Sequence, residues 1–178
     1  MRMILYISKK AKRLIALLFF FASIGAYSQT CEVTLRNDFL IDANNLIVDI
    51  YVKAISGNFY YSQGQYKVQF DVLIKNGGTI IGAIVPGYSD LTNSAQIPTT
   101  VNITTSTFRV PTEFQPSTQA ACSQISTTGF GTRICRVKLT NTVSFGVLTA
   151  NMTLLTTSGV PTTVWYTNSS NIGVEIIP

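Results

Sequence analysis

The feature that most constrains this chain is a two-residue period in its apolar side chains. In Leu46 to Ala54, the residues Leu46, Val48, Ile50, Val52 and Ala54 alternate with Asp49, Tyr51 and Lys53. Successive side chains of an extended strand point to opposite faces, so this alternation predicts a strand with one buried face. Gln65 to Lys75 repeats it, with Tyr66, Val68, Phe70, Val72 and Ile74 inward and Lys67, Gln69, Asp71 and Lys75 outward. Thr132 to Leu139 is a third case, with Cys135, Val137 and Leu139 against Arg136 and Lys138. No apolar run has helical spacing after the first 28 residues. Such strands fit antiparallel sheets with one wet face.

Six further segments read as strands: Cys31 to Arg36, Thr79 to Val85, Val101 to Val110, Asn151 to Thr156, Thr162 to Thr167 and Ile172 to Ile177. Turn signals separate them, among them Asn37-Asp38, Ser62-Gln63-Gly64 and Lys75-Asn76-Gly77-Gly78. About nine short strands is the count of an all-β, two-sheet antiparallel β-sandwich of the immunoglobulin-like kind. The expected core holds Val48, Ile50, Val52, Val68, Phe70, Val72, Val137 and Leu139. Pro111 to Gly131 is polar and reads as one long loop.

The N-terminus has a different grammar. Arg2, Lys9, Lys10, Lys12 and Arg13 precede an uncharged apolar stretch from Leu14 to Ile24, followed by Ala26-Tyr27-Ser28. This is the pattern of a cleaved signal peptide covering residues 1 to 28, and the apolar stretch is too short for a membrane span. The remainder, 29 to 178, has the size of one domain. It is expected to work secreted or at the cell surface. Five of the thirteen basic residues lie in the signal, leaving eight against eight acidic ones. With no net charge, nothing in the remainder points to nucleic acid as a partner.

An exported chain can keep disulfides, and Cys31, Cys122 and Cys135 are an odd set. Cys122 and Cys135 are near enough in sequence to close a hairpin-like loop. Cys31 can pair with either or with another molecule, and Cys135 can equally be a small core residue.

Catalytic signals are sparse. The chain has no histidine, which removes Ser-His-Asp and Cys-His dyads and the common zinc and iron ligand sets. The surviving enzymatic option is a carboxylate pair, with Asp49 and Asp71 on outward strand faces. The simpler reading leaves each solvated beside Lys53, Lys67 or Lys75. No cofactor motif is present. Asp38, Asp42 and Asn44, with Asn45, make an oxygen-rich loop that is a weak calcium candidate, although such loops mostly cap their own turns. Aromatic rings can stack on sugars, so Phe59, Tyr60, Tyr61, Tyr88, Trp165 and Tyr166 are the ligand-binding candidates. Among consecutive strand residues, one ring of each pair must face the core.

The segments Asn58 to Tyr66, Lys75-Asn76-Gly77-Gly78-Thr79, Tyr88-Ser89-Asp90-Leu91 and Gly131 to Asn141 resemble the opening domain of secreted surface proteins of Bacteroidota. That resemblance spans Cys31 to Ile177. It implies a β-sandwich similar to cohesin and carbohydrate-binding-module folds, exported in association with type IX secretion. The family more usually has a small residue such as glycine where Cys135 stands, and a sorting domain often closes its chains. The implied function is a non-catalytic binding or structural module. Its partner would be a surface protein, or a glycan held by exposed rings.

Overall fold

The computed structural model describes residues 29–111, 115–146, 152–157 and 159–178. The expected signal peptide, residues 1 to 28, lies outside the described residues, as does Glu113. Eleven strands form in chain order: β1 Cys31–Asp42, β2 Asn45–Ala54, β3 Phe59–Gln69, β4 Ile80–Ile84, β5 Asn102–Ile103, β6 Thr107–Pro111, β7 Ser123–Ile125, β8 Thr132–Asn141, β9 Thr153–Leu154, β10 Thr163–Thr167 and β11 Gly173–Ile176. Among the described residues there is no α-helix, only three short 3-10 turns.

The strands make a two-sheet antiparallel β-sandwich. One sheet has four strands in the order β1-β2-β8-β4. The other has seven, in the order β11-β10-β3-β6-β5, with β7 and β9 also pairing with the long β3. The alternating residues meet between the sheets as expected: Val48, Ile50, Val52, Val68, Phe70, Val137 and Leu139 are all buried. Phe59, Tyr61, Tyr66, Phe108, Val110, Ile134 and Val164 complete the core, each closed to water. Burying a large apolar side chain contributes about 1.5 to 3 kcal/mol, so this layer dominates stability.

Val72 corrects the expected core, being 46% exposed. The Asp71 carboxylate accepts the Leu73 N–H at 2.8 Å and starts a 3-10 turn at Val72–Lys75. That local bond ends the strand at Gln69, so the parity carried through Phe70 no longer applies. Asn76 and Gly77 then leave the turn with φ of 46° and 80°.

β3 begins earlier than expected, running straight through the Ser62-Gln63-Gly64 turn signal. Trp165 lies opposite Gln63 and Tyr166 opposite Tyr61, so Ser62 is an extra residue, a bulge that bends the strand without ending it. Gln96, itself buried, donates its side-chain amide to the Tyr61 and Ser62 carbonyls and accepts the Ser123 N–H at 2.8 Å. The two carbonyls at the bulge thereby gain a buried partner, whereas the Ser62 hydroxyl, also buried, has none among the described residues. Gly64 faces inward over the Tyr61 and Tyr66 hydroxyls, which occupy the space a Cβ would need. The Tyr66 hydroxyl donates to that of Tyr61 at 3.0 Å, and burial with this neighbour raises its pKa well above the ordinary range.

Two other departures matter for the surface. β1 continues through Asn37-Asp38 by a bulge, with Asn37 at φ 55°, and the expected strand Val101 to Val110 is instead the β5–β6 hairpin. The expected Pro111 to Gly131 loop contains the short β7, which adds to β3.

Candidate interaction face

The outer face of the four-stranded sheet carries a feature that alternation alone does not reveal. Asp49 sits on that face, as its parity requires, but its side chain is 0% exposed, which corrects the expectation of a solvated carboxylate. Arg136, directly opposite on β8, grips it with two bonds: Nε to Oδ1 at 2.6 Å and Nη2 to Oδ2 at 2.8 Å. Asn37 Nδ2 donates to Oδ2 at 2.8 Å, and Arg133 Nη1 approaches that oxygen to 3.7 Å. Burial pushes the carboxyl pKa up, but the Arg136 and Asn37 hydrogen bonds and the two guanidinium charges outweigh it, holding it below the usual value.

Arg133 and Arg136 are three residues apart and in a regular strand would face opposite ways. A further bulge resolves this: Ile50 pairs with Cys135 and Tyr51 with Arg133, leaving Ile134 as the extra residue. Both arginines therefore point outward while Ile134 and Cys135 stay in the core. Asp90 ties down Arg133, accepting its backbone N–H at 3.1 Å and its Nη2 at 3.2 Å.

Aromatic rings lie against these cations. The Arg136 guanidinium carbon is 4.0 Å from the centroid of Tyr88, and that of Arg133 is 5.5 Å from it. At the β1 side, Arg36 lies 4.1 Å from the ring of Phe130, which meets Tyr51 edge-on at 6.3 Å. Phe130 reaches there because Gly131 turns at φ 90° against the Val52 carbonyl, in a space closed to any side chain. Phe130 is 58% and Tyr88 40% exposed. Next to Tyr88, the Pro86–Ser89 segment leaves the sheet and opens a mainly apolar cleft of about 390 Å³, walled by Ile84, Val85, Ile97 and Pro98.

No family model matches this chain, and no curated protein or solved structure matches it.

The six aromatic candidates do not gather into one platform. Phe59, Tyr61 and Tyr166 are buried in the core, the first and last with ring centroids 5.5 Å apart, and so are not available to a ligand. Tyr88 belongs to the four-stranded face just described. Tyr60 and Trp165 are half-buried on β3 and β10 of the other sheet, with Gln124 opposite Tyr60 and Gln63 opposite Trp165.

The carboxylate pair is likewise separated, with Asp49 on the four-stranded sheet and Asp71 capping a turn after β3 of the other. In the calcium candidate loop, Asp42 accepts the Asn44 N–H at 2.8 Å and the Asn45 amide on both oxygens at 2.9 Å. Asn44 donates to the Asn141 carbonyl, and Asp38 stands exposed in the bulge. The Asp42 oxygens are thus committed to the β1–β2 turn. Among the described residues no group of three or more acidic or cysteine side chains is placed to hold a metal, and no helix is long and apolar enough to cross a membrane.

The Cys122–Cys135 disulfide is not made, and all three cysteines are free and buried. Cys135 faces the core from β8, whereas the Cys122 thiol points toward β10, 3.2 Å from the Thr167 hydroxyl. Burial pushes Cys31 up to about 12 and raises Cys122 as well. Burial, followed by the Asp49 charge, raises Cys135 further still. Thiolates are the reactive species, so all three thiols should resist a disulfide reagent at mild alkaline pH and react only after unfolding. Thiol titration with intact mass checks this, and a native mass short by two hydrogens would contradict it.

The Asp49 network was the part that sequence reasoning missed. Its one sequence signal is a pair of arginines three apart in a strand of otherwise regular alternation.

Proposed function

We propose that this chain is a non-catalytic binding module, exported to the cell surface or beyond, that docks a protein partner on the outer face of its four-stranded sheet. The observation that carries this reading is the pair of exposed stacks, Tyr88 on Arg136 and Phe130 on Arg36, mounted beside a buried carboxylate. Tyrosine and arginine are enriched at binding hot spots, and side chains already held in place lose little entropy on docking. Export rests on the N-terminal pattern of residues 1 to 28, and the cohesin-like resemblance supports both compartment and role. The absence of histidine and the separation of Asp49 from Asp71 argue for binding without turnover.

Tyr88→Ala and Phe130→Ala test the reading. Both side chains lie at the surface and outside the core, so the melting temperature should move little. Affinity for a partner captured from the source cell's envelope should fall about tenfold or more for each. Unchanged affinity in both variants would refute the assignment of this face.

A second reading, a carbohydrate-binding module, is favoured by Tyr60 and Trp165 on the seven-stranded sheet, each facing a glutamine amide across the strands. A glycan-array signal abolished by Trp165→Ala but unaffected by Phe130→Ala would move the function to that sheet.

A further inference from the structure

Among the described residues the strands at the sheet margins are unequal in length. β4, β5 and β11 are edge strands of five, two and four residues, whereas β1 has twelve. Short edges protect natural sheets from unwanted pairing, and a long one offers a row of free backbone groups. Among the described residues nothing pairs with the outer side of β1. Its inward side chains Val33 and Leu35 pack against the core yet remain only half-buried, as expected at the open margin of a sandwich.

The outward residues of this edge are self-complementary. Glu32, Thr34 and Arg36 share the outer face, opposite Lys53, Tyr51 and Asp49 of β2. Among the described residues neither Glu32 nor Arg36 makes an ion pair. If a second copy pairs antiparallel about a two-fold axis at Thr34, Glu32 of each copy falls opposite Arg36 of the other, and Val33 falls opposite Leu35. Opposed residues must share a face, so neighbouring registers differ by steps of two in the paired numbers. The register centred on Leu35 sets Glu32 against Asp38, and the one centred on Arg36 sets that arginine against itself. A centre at Val33 makes no charge pair at all. The bulge at Asn37 limits regular pairing to the segment before it.

We infer that β1 is a self-association edge, through which two copies of this chain join antiparallel at Thr34 into one continuous eight-stranded sheet. Such an interface is isologous and closes on itself, giving a dimer rather than a fibre. This inference does not depend on the partner-binding face proposed above.

Sedimentation equilibrium of the purified exported protein, from micromolar to millimolar concentration, should show a monomer–dimer equilibrium. Glu32→Arg and Arg36→Glu each turn two attractive cross-strand pairs into repulsive ones, and each should weaken the dimer by about tenfold or more. The double variant restores the pairs with their signs exchanged and should recover the dimer. Both side chains are exposed, so circular dichroism should report an unchanged fold. Glu32→Arg also leaves the Tyr88 and Phe130 stacks untouched, so a loss of dimer there is separable from any loss of partner binding. A wild-type monomer throughout, single variants that dimerise normally, or a double variant that stays as weak as the singles would each overturn the inference.

Discussion

Asp49→Ala should lower the folding free energy by about 3 kcal/mol or more, because it leaves Arg136 facing a buried gap with no counter-charge and Arg133 with Asp90 alone. The side chain has no exposed surface and accepts from both Arg136 nitrogens and from Asn37, so at least three donors lose their acceptor together. The arginines keep some contact with water, 16% for Arg136 and 21% for Arg133, which holds the cost near the lower end for buried pairs. A urea titration would read it as a midpoint lowered by roughly 1 to 3 M. The same group sets an acid limb. Its folded pKa lies below the ordinary value, so its contribution is complete above the unfolded pKa of about 3.9 and is lost as pH falls through the folded value. Asp49→Asn should be less stable at neutral pH and show a flatter decline below pH 4. A variant with wild-type stability and an unchanged acid limb would refute the network's role.

Tyr61→Ala should cost about 3 to 5 kcal/mol, the usual range for deleting a large aromatic side chain from a packed core. Tyr61 is fully buried, stands beside Gly64 and receives the Tyr66 hydroxyl, so the truncation opens a cavity and strands a polar group. Tyr60→Ala, one residue away but on the outer face, should cost far less. The two variants compared by thermal and urea melts read the strand's parity directly. Equal losses at both positions would contradict the placement of Tyr61 in the core. The effect expected of Tyr61→Ala is therefore on stability and not on a ligand, as the ring has no solvent-facing surface.

The two-residue period was enough to establish a two-sheet sandwich and most of its core, because the direction of a strand side chain is a local property. Val48, Ile50 and Val52 on β2, like Val137 and Leu139 on β8, could be assigned inward from alternation alone, and so could the outward parity of Asp49. What alternation could not supply was continuity. Bulges at Asn37, Ser62 and Ile134 each insert a residue and reverse the count beyond it, and each exists to fit a neighbouring strand. Ser62-Gln63-Gly64 has the composition of a turn, yet the pairing of β3 with β10 and the amide of Gln96 carry the strand through it. Asp71, by contrast, ended a strand that alternation would have continued. Residues far apart in the chain decided the rest. Asp49 became a buried anion only because Asn37, Arg133 and Arg136 converge on it from β1 and β8. Tyr88 came to lie on Arg133 and Arg136, and Phe130 on Arg36, through loops whose paths depend on Asp90 and Gly131. A sequence pattern records which way one side chain points, whereas burial and charge pairing depend on what the opposing strand and the covering loop bring to the same place.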